Sequence, residues 1–248
     1  MSKVVVVTGG SRGIGRATTL LAADRGYDVC INYSANEAAA EATKREVEAK
    51  GRKAIAVCAD VSNEIGVEAL FKEADKLGPL HGLVNSAGLL PTPDRVENTS
   101  AAKLQRLFEV NVFGSFLCAR EAIHRLSTKR GGKGGAIVNL SSVAAMLGGA
   151  GRTIDYAATK AAIEIFTLGL AREVAEEGIR VNCVRPGPIR TEMLDNPNQR
   201  GRLAEMEQAV PMKRVGEPIE VANAILWLLS DEASFTTGTT LAVSGGRA

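Results

Sequence analysis

Residues 4–15 read Val4-Val5-Val6-Val7-Thr8-Gly9-Gly10-Ser11-Arg12-Gly13-Ile14-Gly15. Four successive β-branched residues leave no polar face, as in a strand covered on both sides. The run ends in glycines, which let the chain turn tightly and bring its backbone against a ligand with no Cβ in the way. A helical pattern, Ile14–Arg25, starts at once. The start of a helix offers unpaired N–H groups and a positive dipole end, which together bind phosphate. Strand, glycine turn and helix in this order predict a phosphate cradle built from Gly9, Ser11, Arg12, Gly13, Ile14 and Gly15. The spacing is G-x-x-x-G-x-G rather than G-x-G-x-x-G, with Thr18 where a third glycine would stand.

The alternation continues outward from this stretch. Strand-like runs are expected at Lys3–Val7, Asp28–Tyr33, Lys53–Ala59, Gly82–Asn85, Ala136–Leu140, Arg180–Val184 and Thr240–Val243. Helical patterns fall at Ile14–Arg25, Asn36–Lys50, Asn63–Lys76, Ala101–Leu126, Asp155–Glu176 and Pro218–Ser230. This βαβα rhythm predicts an α/β fold, a doubly wound parallel sheet of about seven strands with helices on both faces, over residues 1–248 as one domain. Right-handed crossovers put the strand ends on one edge, where ligands bind at the topological switch point. Residues 188–217 break the rhythm. They are polar, contain Pro and Met and are helical only over Arg202–Val210, as expected of a substrate-binding loop or lid.

Composition bounds the alternatives. The 248-residue chain is 45% hydrophobic and 23% charged with a net charge of +2, as in an ordinary soluble protein. The short, glycine-broken Lys129–Lys133 run reads as a loop, and no basic patch points to nucleic acid. Two histidines, His81 and His124, cannot build a His-rich metal site, and no metal is expected. Cys30, Cys58, Cys118 and Cys183 lack C-x-x-C spacing and read as buried reduced thiols. The start, Met1-Ser2-Lys3 and four valines, is too short for a signal-peptide core. No stretch approaches a membrane span. A cytoplasmic location follows as the expectation.

The second strand should end near Asn32-Tyr33-Ser34. An acid there would bond a ribose 2′-hydroxyl and favour NAD, and none is present. Arg12 lies close to where a 2′-phosphate would sit, so NADP is expected over NAD. The alternative is that Arg12 is solvated and Glu37 takes the place of the missing acid. Asp60-Val61, after the third strand, and Asn85-Ser86-Ala87-Gly88, after the fourth, fit the adenine side of the same ligand.

Tyr156 and Lys160 stand at i and i+4, on one helix face. A phenol with a pKa of about 10 is a poor acid or base near neutrality. An ammonium close by lowers such a pKa by roughly 1–3 units. Tyr156 would then give a proton to a developing alkoxide or take one from an alcohol. Ser141 and Ser142 follow the fifth strand, where a hydroxyl can hold a carbonyl oxygen near Tyr156. Asn111, mid-helix, is the fourth candidate and could order a water beside Lys160.

These motifs resemble those of the short-chain dehydrogenase/reductase family over nearly the whole chain, with bacterial sugar- or ketoacyl-type reductases the nearest in pattern. The resemblance implies a Rossmann-type fold and hydride transfer between a nicotinamide cofactor and a small carbonyl or alcohol. It implies Asn111, Ser142, Tyr156 and Lys160 as catalytic residues, with Lys160 and Tyr156 also touching the cofactor. Pro186-Gly187, with Ile189 and Thr191, resembles the family's nicotinamide-contacting segment. A homotetramer is implied, with Leu241–Ala248 near a subunit contact. Ser142 to Tyr156 is fourteen residues where thirteen is usual, so Val143–Asp155 reads as one residue longer and Ser141 stays open as the reactive serine. The competing readings are a cofactor-binding sensor or scaffold without catalysis and, on the same fold, a nucleic-acid binder.

Overall fold

The computed structural model describes residues 3–192 and 203–247. Its strands are β1 (Lys3–Thr8), β2 (Tyr27–Tyr33), β3 (Ala54–Cys58), β4 (Leu80–Asn85), β5 (Gly135–Leu140), β6 (Ile179–Pro186) and β7 (Thr240–Val243). They form one sheet in the order β3-β2-β1-β4-β5-β6-β7. Every pairing is parallel. The chain order reverses between β1 and β4, so the switch point lies where Thr8 stands beside Asn85.

The valine run explains the layering. Side chains alternate across a strand, so Val4 and Val6 enter one core while Val5 and Val7 enter the other. The first core gathers α3 (Glu64–Asp75), α5 (Gly114–Leu126) and α7 (Ile154–Val174), through residues such as Phe71, Leu126 and Val174. The second gathers α1 (Gly13–Asp24), α2 (Glu37–Ala49) and α9 (Pro218–Leu229), through Ala22, Val47 and Ile225. Both faces are covered, as the absence of a polar face in β1 requires. Strands and helices begin and end within about two residues of the sequence expectation.

Three features differ from that expectation. The single helix expected over Ala101–Leu126 is α4 (Ala101–Phe108), a π-helical turn (Glu109–Phe113) and α5. The wider turn carries Asn111, whose amide bonds outside its own helix. The loop after β5 holds a short helix, α6 (Ala144–Leu147), closed by left-handed Gly148 and Gly149. A Cβ on Gly149 would lie 2.7 Å from the Thr153 carbonyl, so this reversal tolerates only glycine. Of the cysteines, Cys30, Cys118 and Cys183 are buried, but Cys58 is exposed. It ends β3, the edge strand, where no neighbouring strand covers it.

Residues 188–217 leave and re-enter the body at one place. Ile189 and Gly216 form a bridge, with Arg190 N–H donating to the Gly216 carbonyl at 2.8 Å and Gly216 N–H to Pro188 at 2.9 Å. Between them lies α8 (Leu203–Ala209), which carries Met206. Residues 193–202 lie outside the described residues. Among the described residues no helix is long and apolar enough to cross a membrane. No group of three or more His, Cys, Asp or Glu residues among them could hold a metal ion.

Candidate active site

A cleft of about 590 Å³ opens at the C-terminal ends of the strands, across the switch point. At one end is the glycine turn. Gly9 and Gly13 have φ of +61° and +51°, in the left-handed region. A Cβ on Gly15 would stand 2.2 Å from the Gly9 carbonyl oxygen, so the turn closes only because that atom is missing. The N-terminus of α1 has no side-chain cap and no acid in its first turn. The starts of α2, α3 and α4, by contrast, are capped by Asn36, Asn63 and Ser100. The α1 dipole and its first N–H groups therefore face the cleft uncompensated.

Two buried side chains hold this turn in place. Asn32 accepts from Gly9 N–H at 3.3 Å and donates to the Ala59 carbonyl at 2.9 Å, joining the ends of β1, β2 and β3. The Thr8 hydroxyl accepts from the N–H groups of both Ser86 and Ala87, each at 3.0 Å. It thereby fastens the turn after β4 to the turn after β1. Ser11, Arg12, Gly13, Ile14, Asn32, Ser34, Asp60, Val61, Ala87 and Gly88 all line the cleft. Asn85 does not. Its amide is buried between the Ser115 carbonyl and Asn139, at 3.2 and 2.9 Å, and its expected place in the ligand site is corrected to a strand-to-helix brace.

The acid near the adenine side is engaged. Burial raises the Asp60 pKa, but hydrogen bonds from Ser62 and Arg106 outweigh it and hold the carboxylate below its ordinary range. Arg106 reaches it at 2.8 Å. This arginine lines the cleft and was missed in the sequence, because only the fold brings α4 over Asp60. Arg12 is exposed at the rim, 3.5 Å from Glu192, a solvent-facing pair of little energetic weight. Pro186, Gly187, Ile189 and Thr191 form the opposite wall. That wall closes on the cradle, since a Cβ on Gly13 would lie 3.3 Å from the Thr191 methyl.

At the other end Ser142, Tyr156 and Lys160 come together. All three line the cleft, and the Ser142 hydroxyl lies close enough to the Tyr156 phenol to favour its ionised form. Ser141 is turned elsewhere, its hydroxyl donating to Glu164 at 2.7 Å with the Lys160 carbonyl 3.1 Å away. Of the two serines left open, Ser142 is the one beside the phenol. Lys160 is buried, and its ammonium donates to the Leu140 carbonyl at 2.9 Å, 5.7 Å from the Tyr156 ring centre. The Asn111 amide accepts from Leu89 N–H at 2.7 Å and donates to the Leu89 carbonyl at 3.0 Å and to Thr159 at 3.2 Å. Its oxygen and the Lys160 nitrogen converge on Gly88, where a Cβ would sit 3.3 and 3.6 Å from them.

The electrostatics correct one expectation. Tyr156 is pushed up to about 12, because desolvation outweighs the opposing hydrogen bond from Ser142. Lys160 does not pull it down, since an amine that titrates well below the phenol is neutral by the time the phenol ionises. Burial lowers Lys160 itself to about 8, against a smaller upward effect of Cys183. Low polarity disfavours charge on both partners.

The residues present fit a dinucleotide. The cradle has no side chain where a pyrophosphate would approach, and the cleft runs from it to the Ser142–Tyr156 pair. A second cavity, of about 510 Å³, lies between Ile189 and the Ser244–Gly246 turn and contains none of these groups.

The family model described as enoyl-(acyl carrier protein) reductase matches residues 9–248. The chain is 50% identical over 245 residues to the oxidoreductase YgfF of Escherichia coli K12, covering 98% of this chain and 99% of that one. It is 40% identical over 248 residues to the 3-oxoacyl-[acyl-carrier-protein] reductase of a Synechocystis strain, covering 99% and 96%. Among solved structures, a blue fluorescent protein from a metagenomic library in complex with NADPH is 34% identical with a TM-score of 0.91, covering 99% and 98%. The chain belongs to the short-chain dehydrogenase/reductase family. By that membership it is an NAD(P)-dependent oxidoreductase.

The Thr8 clasp generates a prediction. Thr8→Val leaves two N–H groups without their acceptor, at about 1–3 kcal/mol each where they are buried. Thermal unfolding should register the lower stability, and fluorescence titration should register weaker dinucleotide binding. Thr8→Ser, which keeps the hydroxyl, should restore both.

Proposed function

We propose that this protein transfers hydride between NADP(H) and a small carbonyl or alcohol, with Tyr156 as proton donor or acceptor. The observation that carries the reading is that Ser142, Tyr156 and Lys160 line one end of a cleft whose other end is a glycine cradle. A sensor or scaffold would need only the cradle. The nicotinamide cofactor supplies or accepts the hydride when bound.

The chain's own groups do the rest. Ser142 hydrogen-bonds the carbonyl oxygen and holds it beside the phenol. Tyr156 gives its proton to that oxygen as charge develops there. With its pKa held high, the phenol is protonated at neutral pH, the form suited to carbonyl reduction. Lys160 would offer a donor to the cofactor ribose and is the only side-chain cation at this end of the cleft among the described residues. Asn111 keeps the Leu89 turn and Thr159 in register and orders the proton path beside Lys160.

The preference for NADP rests on Arg12 at the rim beside Ser34 and on the lack of an acid at the end of β2. The NADPH complex of the structural relative supports it. We assign residues 188–217 to substrate binding within a single domain, since Pro188 and Ile189 line the cleft and the bridge to Gly216 anchors both ends. A cytoplasmic protein is the setting we favour for this chemistry.

A homotetramer accounts for two apolar faces. One carries Phe113, Phe116 and Ile165, exposed by 55, 48 and 71%; the other carries Ile219, Trp227 and Phe235 beside β7. Two distinct faces, each paired with its own copy about a two-fold axis, would build a closed assembly of four. Light scattering should return four times the 26.0 kDa chain mass, and a monomer would overturn this assignment.

Loss of reduced-cofactor absorbance across ketones, aldehydes, quinones and sugars tests the activity. Tyr156→Phe should lose about 10²–10⁴-fold in kcat while dinucleotide affinity is unchanged. Alcohol oxidation should gain on reduction as pH rises, because it needs the phenolate. Turnover that survives in Tyr156→Phe would remove the mechanism, and cofactor binding without turnover would favour a sensor. Arg12→Ala should reduce kcat/KM for NADPH about 10- to 100-fold, as a lost hydrogen bond to a charged group predicts. NADH should be little affected, and an unchanged ratio would refute the NADP assignment.

A further inference from the structure

The face of α7 that carries Tyr156 and Lys160 continues one turn further, to Glu164. The Glu164 carboxylate accepts from Arg185 Nε at 2.8 Å, from an Arg185 terminal nitrogen at 2.6 Å and from the Ser141 hydroxyl at 2.7 Å. Both charged side chains are only 15% exposed. Burial raises the Glu164 pKa, and the bonds from Arg185 and Ser141 overcome that and keep it ionised.

A buried ion pair is weak grounds for stability, because apolar residues of the same volume commonly serve as well or better. What this pair supplies is geometry. The arginine fork fixes the plane of the carboxylate, and the carboxylate then fixes the Ser141 hydroxyl. Each of the three residues adjoins a wall of the cleft. Ser141 precedes Ser142, Arg185 precedes Pro186-Gly187, and Glu164 lies two turns from Tyr156 on the same face. The Ser141 hydroxyl also lies 3.1 Å from the Lys160 carbonyl, and the Lys160 ammonium donates to the Leu140 carbonyl. The end of β5 is thus stitched to α7 at both residues before Ser142. Burial and Cys183 set the proton affinity of Lys160, and what Glu164 gives the site is position.

We propose that Glu164 and Arg185 are positioning residues, a brace that holds Ser141 and so sets Ser142 against Tyr156. Turnover requires the brace, while folding and dinucleotide binding do not. This inference rests on the reading of Ser142 and Tyr156 as the reacting pair.

The test uses the full chain and compares Ser141→Ala, Ser141→Thr, the double variant Glu164→Leu/Arg185→Met, and Tyr156→Phe. Single changes at Glu164 or Arg185 strand a buried charge and lower Tm for that reason alone, so the double variant is decisive. Expected are a Tm and NADPH affinity near wild type for Ser141→Ala and the double variant. Their kcat for carbonyl reduction should fall by about 10-fold or more, as misplacement of reacting groups by a fraction of an ångström predicts. KM for NADPH should hold, and Ser141→Thr, which keeps the hydroxyl, should recover most of the loss. Wild-type kcat in the double variant would overturn the brace, as would a loss of kcat that follows Tm and cofactor affinity. Wild-type turnover in Tyr156→Phe would remove the reacting pair and the brace together, which separates that failure from a failure of the brace alone.

Discussion

The ligand edge of this molecule depends on the seam between β1 and β4, strands that are 76 residues apart in sequence where the Thr8 hydroxyl bonds the Val84 carbonyl. The same hydroxyl takes two N–H groups from the following turn. One side chain at the end of the first strand thus decides how close the two glycine-bearing turns lie. The contact between them is tight, with only 3.0 Å from a Gly9 Cβ position to the Ala87 α-carbon. A cradle built from the first turn alone would bind phosphate with one wall missing. The parallel sheet makes the second wall available, because a topological reversal leaves the ends of β1 and β4 side by side with no connecting helix above them.

Much of this was legible in the chain because it rests on local pattern. The valine run required two covered faces, and both cores are present. Tyr156 and Lys160 shared a face by helical period, and the glycines had to be glycines. The less legible parts depend on contacts between distant residues. Nothing in Ala101–Leu126 announces a π turn, because the signal is the Asn111 amide bonding Leu89, 22 residues away. Asn85 looked like a ligand contact because it opens a turn of small residues, yet its side chain points back to Ser115 and Asn139. Glu164 was the residue most open to discovery. An acid eight positions after Tyr156, on the same face of a helix with a buried side, needs a partner, and β6 supplies Arg185.

The sign of the tyrosine shift has the same origin. An i, i+4 Tyr–Lys pair drawn on a helical wheel suggests attraction between phenolate and ammonium. Inside the fold both groups lose water, and a medium of low polarity penalises each charge before it rewards their interaction. The ammonium then takes a backbone carbonyl, which holds its position at a distance from the ring. The pair is therefore biased toward a protonated phenol beside an amine that titrates near 8. A positive charge arriving near the phenol would act in an unscreened setting and move its proton affinity further than it could at a surface.

The segment from Val143 to Asp155 joins Ser142 to Tyr156, and it is anchored at both ends. Its start is tied to β6, where Val143 N–H donates to the Pro186 carbonyl at 3.0 Å. Its end is tied at Asp155, which accepts from Tyr156 N–H at 2.8 Å and pairs with Lys103 at 3.3 Å. Between these anchors, Gly148, Gly149 and Gly151 all adopt left-handed φ, so the chain reverses locally without pulling on either end. Met146 and Leu147 stand exposed on the resulting bulge. The Arg152 carbonyl takes the Asp94 N–H at 2.6 Å, joining the bulge to the loop after β4. An insertion placed here lengthens the arc and leaves the distance between Ser142 and Tyr156 to the strand end and the helix. That is why a spacing of fourteen still leaves Ser142 and Tyr156 at one end of the cleft, and why the residue count between two side chains is a poor guide to their separation when glycines absorb the difference.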